Sequence, residues 1–204
     1  MNIVFDFGGV LLHWQPHEFM PRLLPDHAAS ADAAAALVAN FFQGFGGDWG
    51  DFDRGTVEPA PLAARIAART GLSVADATLV IDAIPQELQP ITATVSLLSR
   101  LRDRGHALFF LSNMPEPYAA HLEATHGFFG HFKGGVFSAR IGLIKPEPAI
   151  YAHAVDVFGI EPAETVFIDD IEKNVVAAQA AGWQAFRFEN PAQCEQELQR
   201  RGLL

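Results

Sequence analysis

Asp6 lies in Val4-Phe5-Asp6-Phe7-Gly8-Gly9-Val10-Leu11-Leu12, an apolar run interrupted by a single acid. Such a run reads as a buried parallel strand that releases a carboxylate into the crevice where open α/β sheets bind ligands. Gly8-Gly9 lets the backbone turn sharply and present N–H groups to an anion. A carboxylate at such a turn can attack phosphorus and form an aspartyl-phosphate, which splits one hard displacement into two. Ser112-Asn113 follows Ala107-Leu108-Phe109-Phe110-Leu111. A hydroxyl and an amide there can hydrogen-bond phosphoryl oxygens without adding charge. Taken alone, the pair reads equally as a turn before a helix near Glu116, closed by Pro115 and Pro117.

Lys145 stands in Gly142-Leu143-Ile144-Lys145-Pro146-Glu147-Pro148. A helix start disfavours a cation, so a lysine fixed there calls for a negative partner, and Asp6 and a phosphate both suit. Asp169-Asp170 ends Thr165-Val166-Phe167-Ile168. Adjacent carboxylates at a buried strand end need a compensating cation. Oxygen ligands in this setting suit Mg²⁺, which keeps waters and shares phosphate oxygens. Asn174 is spaced to point back at the acid pair from the first turn of the following helix.

The elements that must position these residues follow from apolar periodicity. Strands are expected at 2–6, 106–111, 135–138, 165–168 and 184–188, with helices at 92–103, 148–158 and 171–181, the last capped by Gly182. This alternation predicts an α/β fold, a Rossmann-like three-layer core around a parallel sheet, formed by 1–14 and 90–204. Residues 15–89 carry no convincing buried strand. Ala28–Phe42, Pro61–Thr70 and Val74–Glu87 read as helices, so an all-helical insertion is expected. Within it, Phe41–Phe52 packs four glycines and five aromatics into twelve residues. It reads as a flexible turn whose aromatics pack between helices. Trp49 at the third glycine position rules out a dinucleotide fingerprint.

Composition excludes several classes of function. A net charge of −10 and no basic block argue against a nucleic-acid surface. No apolar stretch approaches the ~20 residues of a membrane span, and no basic segment with an apolar core marks a signal peptide. The single cysteine, Cys194, permits no internal disulfide and fits a reducing compartment, so a cytoplasmic protein is expected. His121, His126 and His131 are spaced by five, which places no two imidazoles together for a metal.

The ordered set Asp6, Ser112-Asn113, Lys145 and Asp169-Asp170 resembles the haloacid dehalogenase superfamily, most of whose members are Mg²⁺-dependent phosphatases of small phosphorylated metabolites. The likeness spans Asp6 to Asn174, and the insertion resembles that family's first class of helical cap. It implies Asp6 as nucleophile and metal ligand, the Gly8 carbonyl as a further ligand, and Gly8, Gly9, Ser112 and Asn113 on the phosphate. It also implies Lys145 on the phosphoryl group, Asp170 on Mg²⁺, Asp169 on the metal directly or through water, and Asn174 supporting the acidic loop. One departure stands out: the family's usual second aspartate is Gly8 here. That residue protonates the leaving group and activates water, a contribution of ~10²–10⁴-fold. The form Asp-Phe-Gly-Gly-Val-Leu, with Asp53-Arg54-Gly55 in the insertion, is similar to bacterial phosphatases of the α-glucose-1-phosphate type. The resemblance therefore implies a phosphatase favouring good leaving groups such as aldose 1-phosphates. Alternatives are a 2-haloacid dehalogenase, or a non-catalytic member that binds a phosphorylated metabolite.

Overall fold

The five apolar runs pair as one parallel sheet in the computed structural model, which describes residues 1–204. The strands are β1 (Asn2–Phe5), β2 (Ala107–Ser112), β3 (Gly134–Phe137), β4 (Thr165–Asp169) and β5 (Gln184–Arg187), in the order β3-β2-β1-β4-β5. All lie within a residue or two of the expected positions. Phe5 is in register with Phe110 on one side and Ile168 on the other. The chain order reverses at β1, so the crevice beyond its carboxyl end is the topological switch point.

Side-chain alternation along the strands divides the core into two faces. Phe5, Phe110 and Ile168 point towards Leu98 and Leu101 of α6 (Thr92–Asp103) and Leu198 of α11 (Pro191–Arg200). Val4, Phe109 and Phe167 point the other way, towards Ile150 and Tyr151 of α9 (Pro148–Phe158) and Val175 of α10 (Glu172–Ala180). Three layers result, as expected. Each fully buried large side chain contributes about 1.5–3 kcal/mol relative to an exposed one. Helix α10 ends at Ala180, and the left-handed residue is Gly182, which follows Ala181. Two short core helices, α7 (Glu116–Thr125) and α8 (Ser138–Ile141), follow β2 and β3.

Between β1 and α6 the chain forms only helices: α1 (Pro16–Leu23), α2 (Ala31–Phe42), α3 (Gly47–Asp53), α4 (Pro59–Thr70) and α5 (Val74–Glu87), with a 3₁₀ turn after α1 and another after α2. Serine caps start two of them: Ser30 Oγ accepts from Ala33 N at 3.1 Å, and Ser73 Oγ from Asp76 N at 3.0 Å. The insertion leaves and rejoins the core along paired segments, where His13 N donates to Gln89 O and Ile91 N to Leu11 O, each at 2.8 Å.

The glycine- and aromatic-rich stretch differs in part from expectation. Its aromatics do pack between helices: Phe41, Phe42, Trp49 and Phe52 are buried, with Phe42 and Trp49 edge to face at 4.6 Å. Its second half is helix α3 rather than a turn. Glycine in a helix costs about 1 kcal/mol relative to alanine, and burial of Trp49 and Phe52 offsets that. No helix is long and apolar enough to cross a membrane.

Candidate active site

Asp6 leaves the end of β1 with its N–H donated to Ile168 O at 2.9 Å, which fixes its backbone between β2 and β4. Its Oδ1 accepts from Phe7 N at 2.7 Å and lies 2.9 Å from Lys145 Nζ. Its Oδ2 has no partner in the protein and is free to act. Burial pushes this carboxyl up to about 7; Lys145 pulls it down, while Asp169 and Asp170 push it up.

Lys145 Nζ also donates to Asp169 Oδ2 at 2.6 Å. The lysine is 3% exposed. Burial works against its ammonium, but Asp169 and Asp6 more than offset this and hold its pKa above the ordinary value. Its backbone is gripped by Asn113, whose Oδ1 accepts from Lys145 N at 2.8 Å and whose Nδ2 donates to Lys145 O at 3.0 Å. The amide expected on the phosphate is thus engaged in aiming the lysine.

The two adjacent acids have different surroundings. Asp169 is fully buried and accepts from Lys145, from Ile171 N at 2.8 Å, and from Asn174 Nδ2 at 3.0 Å on both oxygens. Its acceptor sites are taken, so it orients Lys145 and is not available as a direct metal ligand. Asn174 supports the acidic loop as expected. Asp170 Oδ1, by contrast, is buried with no partner. Burial and the Asp169 charge push Asp170 up to about 6. Oxygens of Asp6, Asp169 and Asp170 lie within 4.8 Å of one another, and Lys145 is the one buried cation beside them. That excess of acid over base, with Asp170 Oδ1 unsatisfied, fits a divalent cation.

Gly8 and Gly9 also separate. Gly9 N donates to Leu12 O at 2.8 Å, so it does not present its N–H to an anion as expected. Its glycine identity has a different cause: φ is +77°, and a Cβ would fall 2.4 Å from Asp170 Oδ2. Gly8 N makes no backbone hydrogen bond, and Ser112 Oγ is buried without a partner. Of the two, Gly8 lines the cavity described next.

A cavity of about 190 Å³ opens over these groups, a size that suits a small metabolite. Asp6, Lys145 and Asp170 line its floor. Its remaining wall is largely apolar, with Trp14, Phe45 and Trp49 from the insertion side and Met114, Pro115 and Tyr118 from the core. Phe45 adopts φ +65°, an unusual backbone state for a non-glycine residue that recurs at ligand-contacting turns.

Asp53, the last residue of α3, also lines this cavity, and sequence reasoning assigned it no role. It is 5% exposed, and its carboxyl has neither a hydrogen bond nor an ion pair. Burial pushes it up to about 8; Lys145 pulls it down and Asp6 pushes it up. Its backbone is fixed by Ser138 Oγ, which donates to Asp53 O at 2.5 Å while accepting from Met114 N at 2.8 Å. Gly55 lies against α8, where a Cβ would meet Ala139 O at 2.6 Å. The only sequence signal was the triplet Asp53-Arg54-Gly55 itself.

Three comparisons extend these observations. A family model described as haloacid dehalogenase-like hydrolase matches residues 1–182. A sesquiterpene phosphatase, AstK, of Aspergillus oryzae is 30% identical over 179 residues, 88% of this chain and 85% of that protein. The magnesium complex of an enzyme of the same family from Bacteroides thetaiotaomicron superposes with a TM-score of 0.71 at 25% identity, covering 92% of each chain. The fold does not separate chemistries. The L-2-haloacid dehalogenase of Xanthobacter autotrophicus superposes with a TM-score of 0.67 at 18% identity, over 100% of this chain and 84% of that one.

Proposed function

We propose that this chain, which belongs to the haloacid dehalogenase-like hydrolases, is a cytoplasmic Mg²⁺-dependent phosphatase that hydrolyses a small phosphomonoester through an aspartyl-phosphate on Asp6. The observation that carries this reading is the unpartnered, buried Asp170 Oδ1 beside a nucleophile whose Oδ2 is free. Displacement of halide from a 2-haloacid needs no metal cation and leaves such an oxygen unused, whereas a phosphate with its cation uses it. The single, buried Cys194 fits the cytoplasmic assignment.

Asp170 Oδ1, the Gly8 carbonyl and the Asp6 carboxylate would hold Mg²⁺, which would neutralise phosphate charge and position its oxygens. Lys145 meets the phosphoryl charge that grows in the transition state, and Asp169 and Asn113 keep it aimed. Ser112 Oγ and Gly8 N donate to the remaining phosphoryl oxygens. Asp6 Oδ2 attacks phosphorus in line with the leaving oxygen, and water later releases phosphate from the carboxyl. The insertion is the cap that walls the site.

The resemblance at the first motif points to aldose 1-phosphates. The apolar part of the wall, built from Trp14, Phe45, Trp49 and Met114, favours an apolar or aromatic alcohol, and Asp53, Asn113 and Lys173 are among the polar groups that also line the cavity. The name of the Aspergillus relative points the same way.

Phosphate release from a panel of prenyl, aryl, sugar and nucleotide phosphates, with and without Mg²⁺, tests the reading. Mg²⁺-dependent release lost in Asp6→Asn is the expected result. Chloride release from 2-chloropropionate without Mg²⁺ would replace the phosphatase by a dehalogenase. Tight phosphate-ester binding without turnover would replace it by a binding protein.

A further inference from the structure

We propose that Asp53 is the catalytic acid and base of this enzyme, supplying from the cap the proton relay that Gly8 cannot. The inference rests on the phosphatase reading above and assigns a residue that reading leaves without a task.

Three observations converge. Gly8 has no side chain, so the position that would protonate the leaving oxygen is vacant in the first motif. Asp53 lines the same cavity as Asp6 and Lys145, and its carboxyl has no protein partner. The other acids have tasks in the phosphatase reading: Asp6, held on Oδ1 by Lys145 and Phe7 N, is the nucleophile, Asp170 faces the cation, and Asp169 is bound by Lys145, Ile171 N and Asn174. A buried, unpartnered carboxyl is costly, and a fold retains one where a reacting group becomes its partner. Third, its placement is rigid. Ser138 holds its carbonyl, Arg54 is bonded to Glu147, and Gly55 lies against Ala139. Such support is what a proton-transfer group needs to keep its geometry. The charged neighbours that act on it are Lys145 and Asp6, the titratable Tyr118 phenol of α7 lies near it, and burial keeps it protonated at neutral pH.

The relay balances. As Asp6 Oδ2 bonds to phosphorus, the bond from phosphorus to the ester oxygen breaks, and that oxygen takes the proton of Asp53, leaving as the alcohol. Asp53 is now a carboxylate. It removes a proton from water as the water oxygen bonds to phosphorus. The Asp6–phosphorus bond breaks with its electrons returning to Oδ2, which yields inorganic phosphate and restores protonated Asp53.

Leaving-group dependence tests this. An alkyl phosphate needs its oxygen protonated, whereas p-nitrophenolate departs without help. Asp53→Asn is expected to lower kcat/KM on alkyl phosphates by ~10²–10⁴-fold and on p-nitrophenyl phosphate at least tenfold less. Asp53→Glu should recover part of the alkyl rate. A Gly8→Asp change placed in the Asp53→Asn protein should recover it too, because the Gly8 Cβ position has only Trp14 Cβ as a neighbour, at 4.0 Å. The wild-type alkyl rate should also fall at high pH along a limb that the aryl rate lacks. Equal losses on both esters, or a rise in KM alone, would overturn the assignment and make Asp53 a structural or substrate-binding residue. A wild type that turns over neither ester would instead overturn the phosphatase reading, and the Asp53 role with it.

Discussion

Arg54 forks onto Glu147, with Nη2 to Oε1 at 2.5 Å and Nη1 to Oε2 at 3.0 Å, and Nη1 also donates to Gly142 O at 3.0 Å. The residue after Asp53 is thereby pinned to both ends of the loop that carries Lys145. The Asp53 carboxyl and the Lys145 ammonium share one mechanical unit, although they lie 92 positions apart in sequence.

Arg54→Ala should therefore lower kcat/KM by about tenfold or more with little loss of stability. Both partners are partly exposed, and pairs of that kind contribute only ~0–1 kcal/mol. Steady-state kinetics beside a urea melt check this. A large stability loss with unchanged kinetics would contradict the positioning role.

The glycine pair yields a contrast. Gly9→Ala places a methyl where the Asp170 carboxylate sits and at a φ that alanine resists, so Mg²⁺ affinity should fall by tenfold or more. Gly8→Ala meets open space and should bind Mg²⁺ normally. Calorimetric Mg²⁺ titration of the two variants distinguishes them.

Most of the fold, but only part of this site, was legible in the sequence. Buried parallel strands are short apolar runs, so β1, β2 and β4 and their terminal acids stood out. Helix α3 was obscured because Gly47 and Gly50 lower its propensity, and packing of Trp49 and Phe52 overrides that. The division of labour between Asp169 and Asp170 depends on which hydrogen bonds each side chain finds, which adjacent identical letters cannot express. The grip of Asn113 on Lys145 was not legible because it spans 32 residues. Asp53 was hidden for the same reason: its meaning depends on its contact with Ser138 and on the pairing of its neighbour Arg54 with Glu147.

Asp53 also makes a prediction about stability and pH. Its folded pKa, about 8, lies above the ordinary 3.8. The native state therefore binds more protons than the unfolded state between these values, and stability falls as pH rises from about 4 through 8. Asp53→Asn removes this contribution, so the variant should be more stable than wild type at pH 8.5, on the order of a few kcal/mol, and should show a flatter profile. Denaturant unfolding at pH 5 and pH 8.5 in Mg²⁺-free buffer tests the sign.

Asp169→Ala should be the most destabilising change in the site. It leaves the Lys145 ammonium, the Asn174 amide and Ile171 N without their common acceptor. Breaking a buried pair in this way costs about 3–5 kcal/mol. Asp169→Asn, which keeps the shape, should cost less and still lower activity because Lys145 loses its anchor. Urea melts of the two variants provide the comparison.

The central claim is that Asp6 becomes phosphorylated. Wild-type protein mixed with an aryl phosphate labelled in its phosphoryl group, quenched in acid within one turnover and digested, should yield a labelled peptide containing Asp6, and Asp6→Asn should yield none. Release of labelled phosphate with no protein-bound label at any quench time, or label retained in Asp6→Asn, would contradict the account.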